Sequence, residues 1–306
     1  MRVFITGGGG FLGATLVAKF KAEGIECHAP SSSQCNLLSN DSLKSVASGK
    51  YDQIIHLAAW TQAGKFCLEH PSEQWVKNQH INTNVLDWWV TEQPQSKLIF
   101  MGTSCAYSPE HAHREENYML GEPTPSLYTY AMTKRMLYQG ALAAELQFGL
   151  QWLCLVPSTL YGPRYHTDGR QMHFIFDLIR KILKAKHFGE NAVLWGDGYQ
   201  RRELVYVDDF IDALKLLSLT ESNSLVNIGG GEDYSIRDFA EIICDVSGTS
   251  TNLVKYDETE YVGARNKNLV IEKLLKIMPE FKKNSISRPE GISNVVNWFE
   301  ENKLYS

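Results

Sequence analysis

The sequence is poor in the features that mark nucleic-acid-binding, membrane and disulfide-linked proteins. It carries 30 basic and 35 acidic residues, a net charge of −5, so there is no positive field to attract nucleic acid. It contains no run of the roughly 18 apolar residues that a membrane-spanning helix needs. Its six cysteines show no Cys-x-x-Cys spacing, and nothing resembles a set of metal ligands. We therefore expect no nucleic acid, no membrane and no metal among its partners.

The first residues show no charged and then apolar leader. A strand-like apolar run begins at Arg2, and a glycine-rich turn follows it at Gly7. We therefore expect no signal peptide and a cytoplasmic protein. In that compartment the cysteines are expected to be free thiols.

Strand-like and helix-like patterns alternate along the first half of the chain. They follow in the order strand 2–6, strand 25–29, strand 52–58, helix 72–93, strand 97–101, helix 126–147 and strand 151–156. This alternation predicts an α/β protein built on a doubly wound parallel Rossmann sheet. Because ligands of such sheets bind beyond the carboxyl ends of the strands, residues at those ends are the first site candidates.

The glycine-rich turn between the first strand and the following helix predicts a dinucleotide site. Gly7, Gly10 and Gly13 are spaced three apart. The first permits a tight turn, the second lets a pyrophosphate approach the backbone, and the third lets the helix pack on the strand. The amino end of the helix then offers amide donors and a positive dipole end to the phosphates.

The segment after the second strand favours NADP(H) over NAD(H). An acidic residue usually binds the free ribose 2′-hydroxyl of NAD in this position, but none occurs before Asp41. The hydroxyls of Ser31 to Ser33 could instead accommodate a 2′-phosphate, although no Arg or Lys stands among them. NAD(H) stays the alternative cofactor, and a solvated serine loop is the alternative without a role in binding.

Tyr130 and Lys134 lie four residues apart in a helical pattern, so both side chains fall on one helix face. A phenol titrates near about 10, and an ammonium group beside it is expected to lower that pKa. Such a pair can pass a proton to or from a carbonyl oxygen; the alternative is an exposed lysine on an amphipathic helix. Thr103, just after a strand, can hydrogen-bond the same oxygen or merely satisfy a turn.

Several motifs together resemble the extended short-chain dehydrogenase/reductase superfamily over nearly the whole chain. They are the turn from Thr6 to Gly13, the segment from Leu57 to Ala59, Thr103, Tyr130 and Lys134. Within the superfamily, the chain is most similar to the GDP-L-fucose synthase family in four stretches: Gly102 to Tyr107, Asn78 with Asn84, Leu160 to Pro163 followed by His173, and Trp195 to Glu203 with Val207 to Asp209.

The resemblance implies an NADP(H)-dependent epimerase and 4-reductase that acts on a nucleotide-linked 4-keto sugar, with GDP as the expected nucleotide. It implies a Rossmann domain of residues 1–160 and 205–228. A smaller α/β domain of residues 161–204 and 229–306 would bind the nucleotide sugar. It also implies a homodimer built on the two long helices, to which Trp88 and Trp89 contribute unless they belong to the core.

The resemblance assigns site residues in three groups. The catalytic group is Thr103, Tyr130, Lys134, Cys105 and His173. The cofactor group shares Tyr130 and Lys134 with the first and adds Gly7, Gly10, Phe11, Leu12, Gly13, Ser31, Asn36, Leu37, Leu57, Ala58, Ala59 and Pro157. The substrate group is Arg164, Lys181, Trp195, Arg202 and Arg265. Within it, the guanidinium of Arg202 suits bidentate binding of a phosphate.

Cys105 and His173 are the residues implied to move protons at the carbons beside the keto group. A thiol titrates near about 8.5, and nearby positive charge can lower that pKa until the thiolate acts as a base. A histidine that titrates near neutrality suits a general acid. The alternatives are a packed thiol at Cys105 and a polar residue at a helix start for His173.

Three positions depart from the family pattern: Thr103 stands for serine, Lys181 for arginine, and Trp60 to Gly64 replaces a Gly-Gly-Ile segment. These departures leave the sugar open. Three other functions are also open. One is an epimerase that returns its hydride, resembling GDP-mannose 3,5-epimerase. Another is a C4 reductase or dehydrogenase without epimerisation, and the third is a non-catalytic cofactor sensor.

Overall fold

The computed structural model describes residues 1–47, 49–62, 66–259 and 268–305. Its strands are β1 Arg2–Thr6, β2 Glu26–His28, β3 Gln53–His56, β4 Lys97–Met101, β5 Trp152–Pro157, β6 Thr159–Tyr161, β7 Ala192–Trp195, β8 Arg201–Tyr206, β9 Ser224–Ile228, β10 Asp233–Ser235 and β11 Val254–Asp257. Its α-helices are α1 Phe11–Ala22, α2 Asn40–Val46, α3 Phe66–Glu69, α4 Pro71–Glu92, α5 Tyr128–Phe148, α6 Phe174–Phe188, α7 Val207–Thr220, α8 Ile236–Ser247, α9 Glu272–Ile277, α10 Phe281–Asn284 and α11 Arg288–Glu301.

Six strands form one parallel sheet in the order β2-β1-β3-β4-β5-β9. Its central strands are buried along nearly their whole length, as expected of strands covered by helices on both faces. The chain leaves β1 for β2 on one side and returns to β3 on the other, so the strand order reverses between β1 and β3. Ligands bind at such a switch point. The predicted doubly wound Rossmann sheet is confirmed.

The two long helices α4 and α5 pack against each other beside this sheet. Helix α4 begins at Pro71, a position where the missing amide of proline removes no helical hydrogen bond. Trp88 and Trp89, near its other end, are 1% and 0% exposed. Of the two possibilities left open by the sequence, these tryptophans therefore belong to the core and not to an exposed face.

A second hydrophobic cluster lies among α6, α8 and α11, with Phe176, Phe239 and Phe299 at its centre and residues of β6, β7 and β8 around them. Phe11 packs against both this cluster and the cluster that surrounds the main sheet. The predicted division into two domains remains a prediction. The stretch from Leu269 to Phe281, which it placed in the second domain, packs with the cluster around the main sheet.

The described residues contain no helix that is both long and apolar enough to cross a membrane. Within the same ranges, no group of three or more His, Cys, Asp or Glu side chains is arranged to hold a metal ion.

Candidate active site

The glycine turn closes tightly at the carboxyl end of β1. The Gly10 amide donates to the Gly7 carbonyl at 3.0 Å, and Gly7 has a φ of 70°. A Cβ on Gly7 would lie 2.7 Å from the Ala58 amide nitrogen, and a Cβ on Gly13 would collide with the Gly7 carbonyl oxygen. A Cβ on Gly9, in contrast, would meet no atom within 4 Å. The turn thus leaves open space at the amino end of α1, which fits the phosphates of a dinucleotide.

A buried histidine joins this turn to the helices behind it. His56, at the end of β3, is 1% exposed; its Nδ1 lies 2.7 Å from the Thr6 hydroxyl and its Nε2 lies 3.2 Å from the Asn82 side-chain oxygen. The Asn82 amide donates in turn to the Thr133 carbonyl at 3.3 Å. Burial, together with the Lys134 charge, lowers the pKa of His56 to about 4. This histidine is therefore neutral near pH 7.

The other predicted cofactor residues surround the same edge of the sheet. Leu57, Ala58 and Ala59 continue from β3, and Pro157 ends β5, two strands away. Ser31 lies in an exposed turn, where its hydroxyl contacts the hydroxyl of Ser33 at 2.9 Å.

The neighbouring segment of Asn36 and Leu37 is held by α4. The Leu37 carbonyl accepts a hydrogen bond from Asn84 at 2.8 Å. Together with the glycine turn, these segments lie near the carboxyl ends of the sheet strands, where the sequence predicts a dinucleotide. Phe11 and Leu12, at the start of α1, complete the set. Their individual roles stay predictions.

Thr103, Tyr130 and Cys105 are brought together where β4 meets α5. Thr103 lies two residues after the end of β4 and is 8% exposed. Its hydroxyl accepts from the Cys105 amide at 3.2 Å and is hydrogen-bonded to the Tyr130 phenol. Cys105 lies in the short 3-10 turn that follows. One proton-carrying phenol, one hydroxyl and one thiol therefore share a single small site.

Burial sets the protonation of Tyr130. It raises the pKa of the phenol well above its ordinary value, and the nearby Cys105 and Cys67 thiols add to that increase. The Thr103 hydrogen bond is the contribution that lowers this pKa. The expectation that Lys134 lowers it is not met here, because burial of the phenol dominates. The phenol is protonated at neutral pH, which is the form that can donate a proton.

Lys134 lies one helical turn after Tyr130 on α5 and is 5% exposed. Burial lowers the pKa of its ammonium group to about 8, and the neighbouring Cys154 sulfur has only a smaller effect in the opposite direction. The lysine is therefore not the exposed residue of the alternative interpretation. It remains mostly charged at pH 7 and contributes a buried positive charge to the site.

His173 occupies the N-cap position immediately before α6, where it is exposed and its side chain makes no capping hydrogen bond. The backbone amide of His173 donates a hydrogen bond to the phenol oxygen of Tyr165. The Tyr165 ring stacks on Phe176 at 3.9 Å and meets Phe11 at 5.3 Å. The segment that carries His173 is thereby packed against the amino end of α1.

The predicted substrate residues occupy the region of the second hydrophobic cluster. Trp195 is 47% exposed, and the Lys181 ammonium lies 5.1 Å from its ring centre and 3.1 Å from Asp177. Arg202 lies on β8, and burial lowers the pKa of its guanidinium. Arg164 is exposed in a loop with a φ of 68°. Arg265 lies outside the described residues.

Sequence reasoning missed three side chains: one in the region of the second cluster and two near Tyr130. Arg237 stands over the rings of Tyr256 and Tyr199 at 4.0 and 4.6 Å, and so ties α8 to the loop after β7. Cys67, on α3, lies near Tyr130. Arg135, directly after Lys134, is buried at 5% exposure. The sequence offered one indication of the role of Arg135: helical spacing in α5 places this charged residue on a buried face of the helix.

The model of the NAD dependent epimerase/dehydratase family matches residues 3–229. Curated relatives match the chain over nearly its whole length. GDP-L-colitose synthase of Yersinia pseudotuberculosis is 28% identical, and the match covers 98% of each chain. GDP-L-fucose synthase of Escherichia coli (strain K12) is 27% identical, over 99% of this chain and 97% of the relative.

Solved structures show the same fold. A GDP-L-fucose synthetase from Naegleria fowleri, bound to NADP, superposes with a TM-score of 0.86 at 24% identity, over 99% of this chain and 93% of that one. A GDP-mannoheptose C4 reductase from Campylobacter jejuni with NADP bound has a TM-score of 0.81 at 18% identity, over 98% of both chains.

Proposed function

Because the chain belongs to the NAD dependent epimerase/dehydratase family, we propose that it is an NADP(H)-dependent epimerase and 4-reductase of a GDP-linked 4-keto sugar. The observation that carries the proposal is the junction of β4 and α5. There the Thr103 hydroxyl bonds to the protonated Tyr130 phenol, and the Cys105 thiol lies beside both. That set supplies both the acid needed at a carbonyl oxygen and a base candidate for the adjacent carbons.

The cofactor would be held by the glycine turn from Gly7 to Gly13, by Ser31, and by the segments after β3 and β5. When bound, NADPH supplies the hydride for the reduction. Gly7 and Gly13 let the turn pack closely on its own backbone and on Ala58, and open space remains beside Gly9. The buried ammonium group of Lys134 adds a positive charge one helical turn from Tyr130 on α5.

The proton steps fall to this chain's own side chains. The 4-keto group acidifies the hydrogens on C3 and C5, and the Cys105 thiolate removes one of them. His173 returns a proton to that carbon from the opposite face. Tyr130 then donates its phenolic proton to the C4 oxygen, which Thr103 holds by a hydrogen bond, while the Lys134 charge stabilises the phenolate that forms.

The nucleotide is proposed to be GDP, held in the region of the second cluster. Trp195 offers a half-exposed aromatic face with the Lys181 ammonium beside it, and the Arg202 and Arg164 guanidinium groups suit the two phosphates. The curated relatives named above carry GDP sugars in their names. We further propose that the enzyme works in the cytoplasm and without nucleic acid.

The proposal is tested by measuring how many moles of NADPH are oxidised for each mole of sugar consumed. With a GDP-linked 4-keto-6-deoxyhexose, NADPH should be oxidised in equal molar amount to the sugar consumed. NADPH should bind more tightly than NADH by a small margin, because Ser31 to Ser33 offer hydroxyls but no cation. Absorbance and fluorescence titration measure both quantities. Epimerised sugar with no NADPH oxidised would instead establish an epimerase that returns its hydride.

We also propose a homodimer formed through the amino ends of α4 and α5. Pro71, Trp75, Tyr128 and Met132 line an apolar groove there, and Trp75 and Tyr128 are 38% and 41% exposed. Light scattering at micromolar concentration should give the mass of two chains, and Trp75→Arg should shift it towards one. Leu216→Arg, at an equally exposed leucine of α7, is the control and should stay dimeric. A monomeric wild-type protein would contradict the proposal.

A further inference from the structure

We propose that Arg135 is a positioning residue for the reaction: its buried guanidinium sets where Thr103 and Cys105 stand relative to Tyr130. The inference rests on the proposed function for the roles of those three residues. It concerns a side chain that touches none of the reacting groups and acts through the turn that carries two of them.

The guanidinium forms its bonds with backbone carbonyl oxygens. Nε and Nη2 both donate to the Ala106 carbonyl, at 3.0 and 2.6 Å. Nη2 also donates to the Leu120 carbonyl at 2.9 Å, and Nη1 donates to that of Gly121 at 2.8 Å. The residue is 5% exposed; its bonds to Ala106 are buried, and those to Leu120 and Gly121 are partly buried.

The acceptors belong to the two ends of one loop. Ala106 is the last residue of the short turn that contains Cys105, and Leu120 and Gly121 lie where the loop comes back towards α5. A single side chain therefore clamps the start and the return of the loop onto the helix. The same helix carries Tyr130 and Lys134, and the turn packs directly against it.

A second contact holds the backbone of Thr103 in place. The Thr103 amide donates to the buried Tyr118 phenol at 3.3 Å. Thr103 is thus held at its own backbone, whereas Cys105 lies between that point and the Arg135 clamp at Ala106. Loosening the clamp should displace Cys105 more than Thr103.

Lysine cannot replace this clamp, because its ammonium group lacks the planar fork that reaches several carbonyl groups at once. Without the guanidinium, the Ala106 carbonyl loses two donated bonds in a buried place. The Leu120 and Gly121 carbonyls lose theirs at partly buried positions. These losses favour movement of the loop. A displacement of about 1 Å at reacting groups can lower turnover by roughly 10²-fold.

The test compares Arg135→Lys and Arg135→Met with the wild type in the reaction of the GDP-linked 4-keto-6-deoxyhexose. We expect kcat for NADPH oxidation to fall by about tenfold, less than the roughly 10²-fold of a full 1 Å displacement, because the Tyr118 phenol still holds Thr103. KM for the sugar and the Kd for NADPH should be nearly unchanged. Deuterium incorporated from heavy water at C3 or C5, per molecule of product, should fall further. Arg114→Met is the control, because Arg114 lies on the same loop but is only partly buried and pairs with Glu272; it should behave as wild type.

The outcomes separate the two proposals. The positioning role would be overturned if the Arg135 variants incorporated as much deuterium per product as the wild type and lost kcat only in proportion to their unfolded fraction. A kcat equal to that of the wild type would overturn it as well. If Arg135→Met does not fold, Arg135→Lys decides by the same readouts. If the wild type itself incorporates no deuterium, the proposed epimerase activity fails, and the Arg135 proposal is then decided by the change in kcat against KM for reduction.

Discussion

Replacing Tyr130 with phenylalanine should lower turnover by roughly 10²–10⁴-fold, the loss typical of a removed general acid. The phenol is protonated because burial raises its pKa, and it is the proton donor to the sugar oxygen in the proposed reaction. Phenylalanine keeps the ring and therefore the packing of α5. Binding of NADPH and of GDP should stay nearly intact, as measured by fluorescence titration beside steady-state rates.

The matched control is Tyr128→Phe, two residues earlier on the same helix. That phenol is 41% exposed, and its hydrogen-bond partner is Glu122 and not Thr103. Its removal breaks only that exposed bond and keeps the ring, so turnover should stay within about twofold of wild type. Normal turnover by Tyr130→Phe would remove that residue from the mechanism.

Replacing Cys105 with serine should nearly abolish the exchange of carbon-bound hydrogen in the sugar with deuterated solvent. A hydroxyl is a far weaker acid than a thiol, so serine cannot supply the base. NADPH oxidation should survive, because Thr103, Tyr130 and Lys134 remain. The variant would then reduce the 4-keto group without inverting C3 or C5. Proton NMR of the product measures both outcomes.

Two further variants serve as comparisons for the hydrogen exchange of Cys105→Ser. Cys27→Ser changes a half-buried thiol on β2 and should exchange hydrogen as the wild type does. His173→Asn should show a milder loss than Cys105→Ser, since water can replace a general acid at an exposed position. Full exchange by Cys105→Ser would leave Cys105 an ordinary packed thiol.

The sheet was predictable because its strands are continuous apolar runs. The predicted runs at 2–6 and 97–101 coincide with β1 and β4, and the strand at 52–58 is shorter in the structure, as Gln53–His56. Helix α5 starts at Tyr128, after a 3-10 turn, two residues later than the pattern indicated. Local periodicity thus fixes which elements form and leaves their ends uncertain by a few residues.

The site was predictable only where it is encoded in short motifs. The glycine turn and the Tyr130–Lys134 spacing are local, and the structure places Thr103 and Cys105 beside Tyr130. The Arg135 clamp depends on carbonyl groups up to 29 residues away, which no local pattern reveals. The pKa of Tyr130 also depends on burial by the whole fold, which outweighs the local effect expected from Lys134.

The central claim, that one site both epimerises and reduces, is tested most directly by the wild-type enzyme in deuterium oxide. The GDP-linked 4-keto-6-deoxyhexose is converted with NADPH, and proton NMR of the product records the hydrogens on C3, C4 and C5. We predict deuterium at C3 or C5 and protium, carried from NADPH, at C4. Product reduced at C4 with no deuterium at C3 or C5 would contradict the claim and leave a simple C4 reductase.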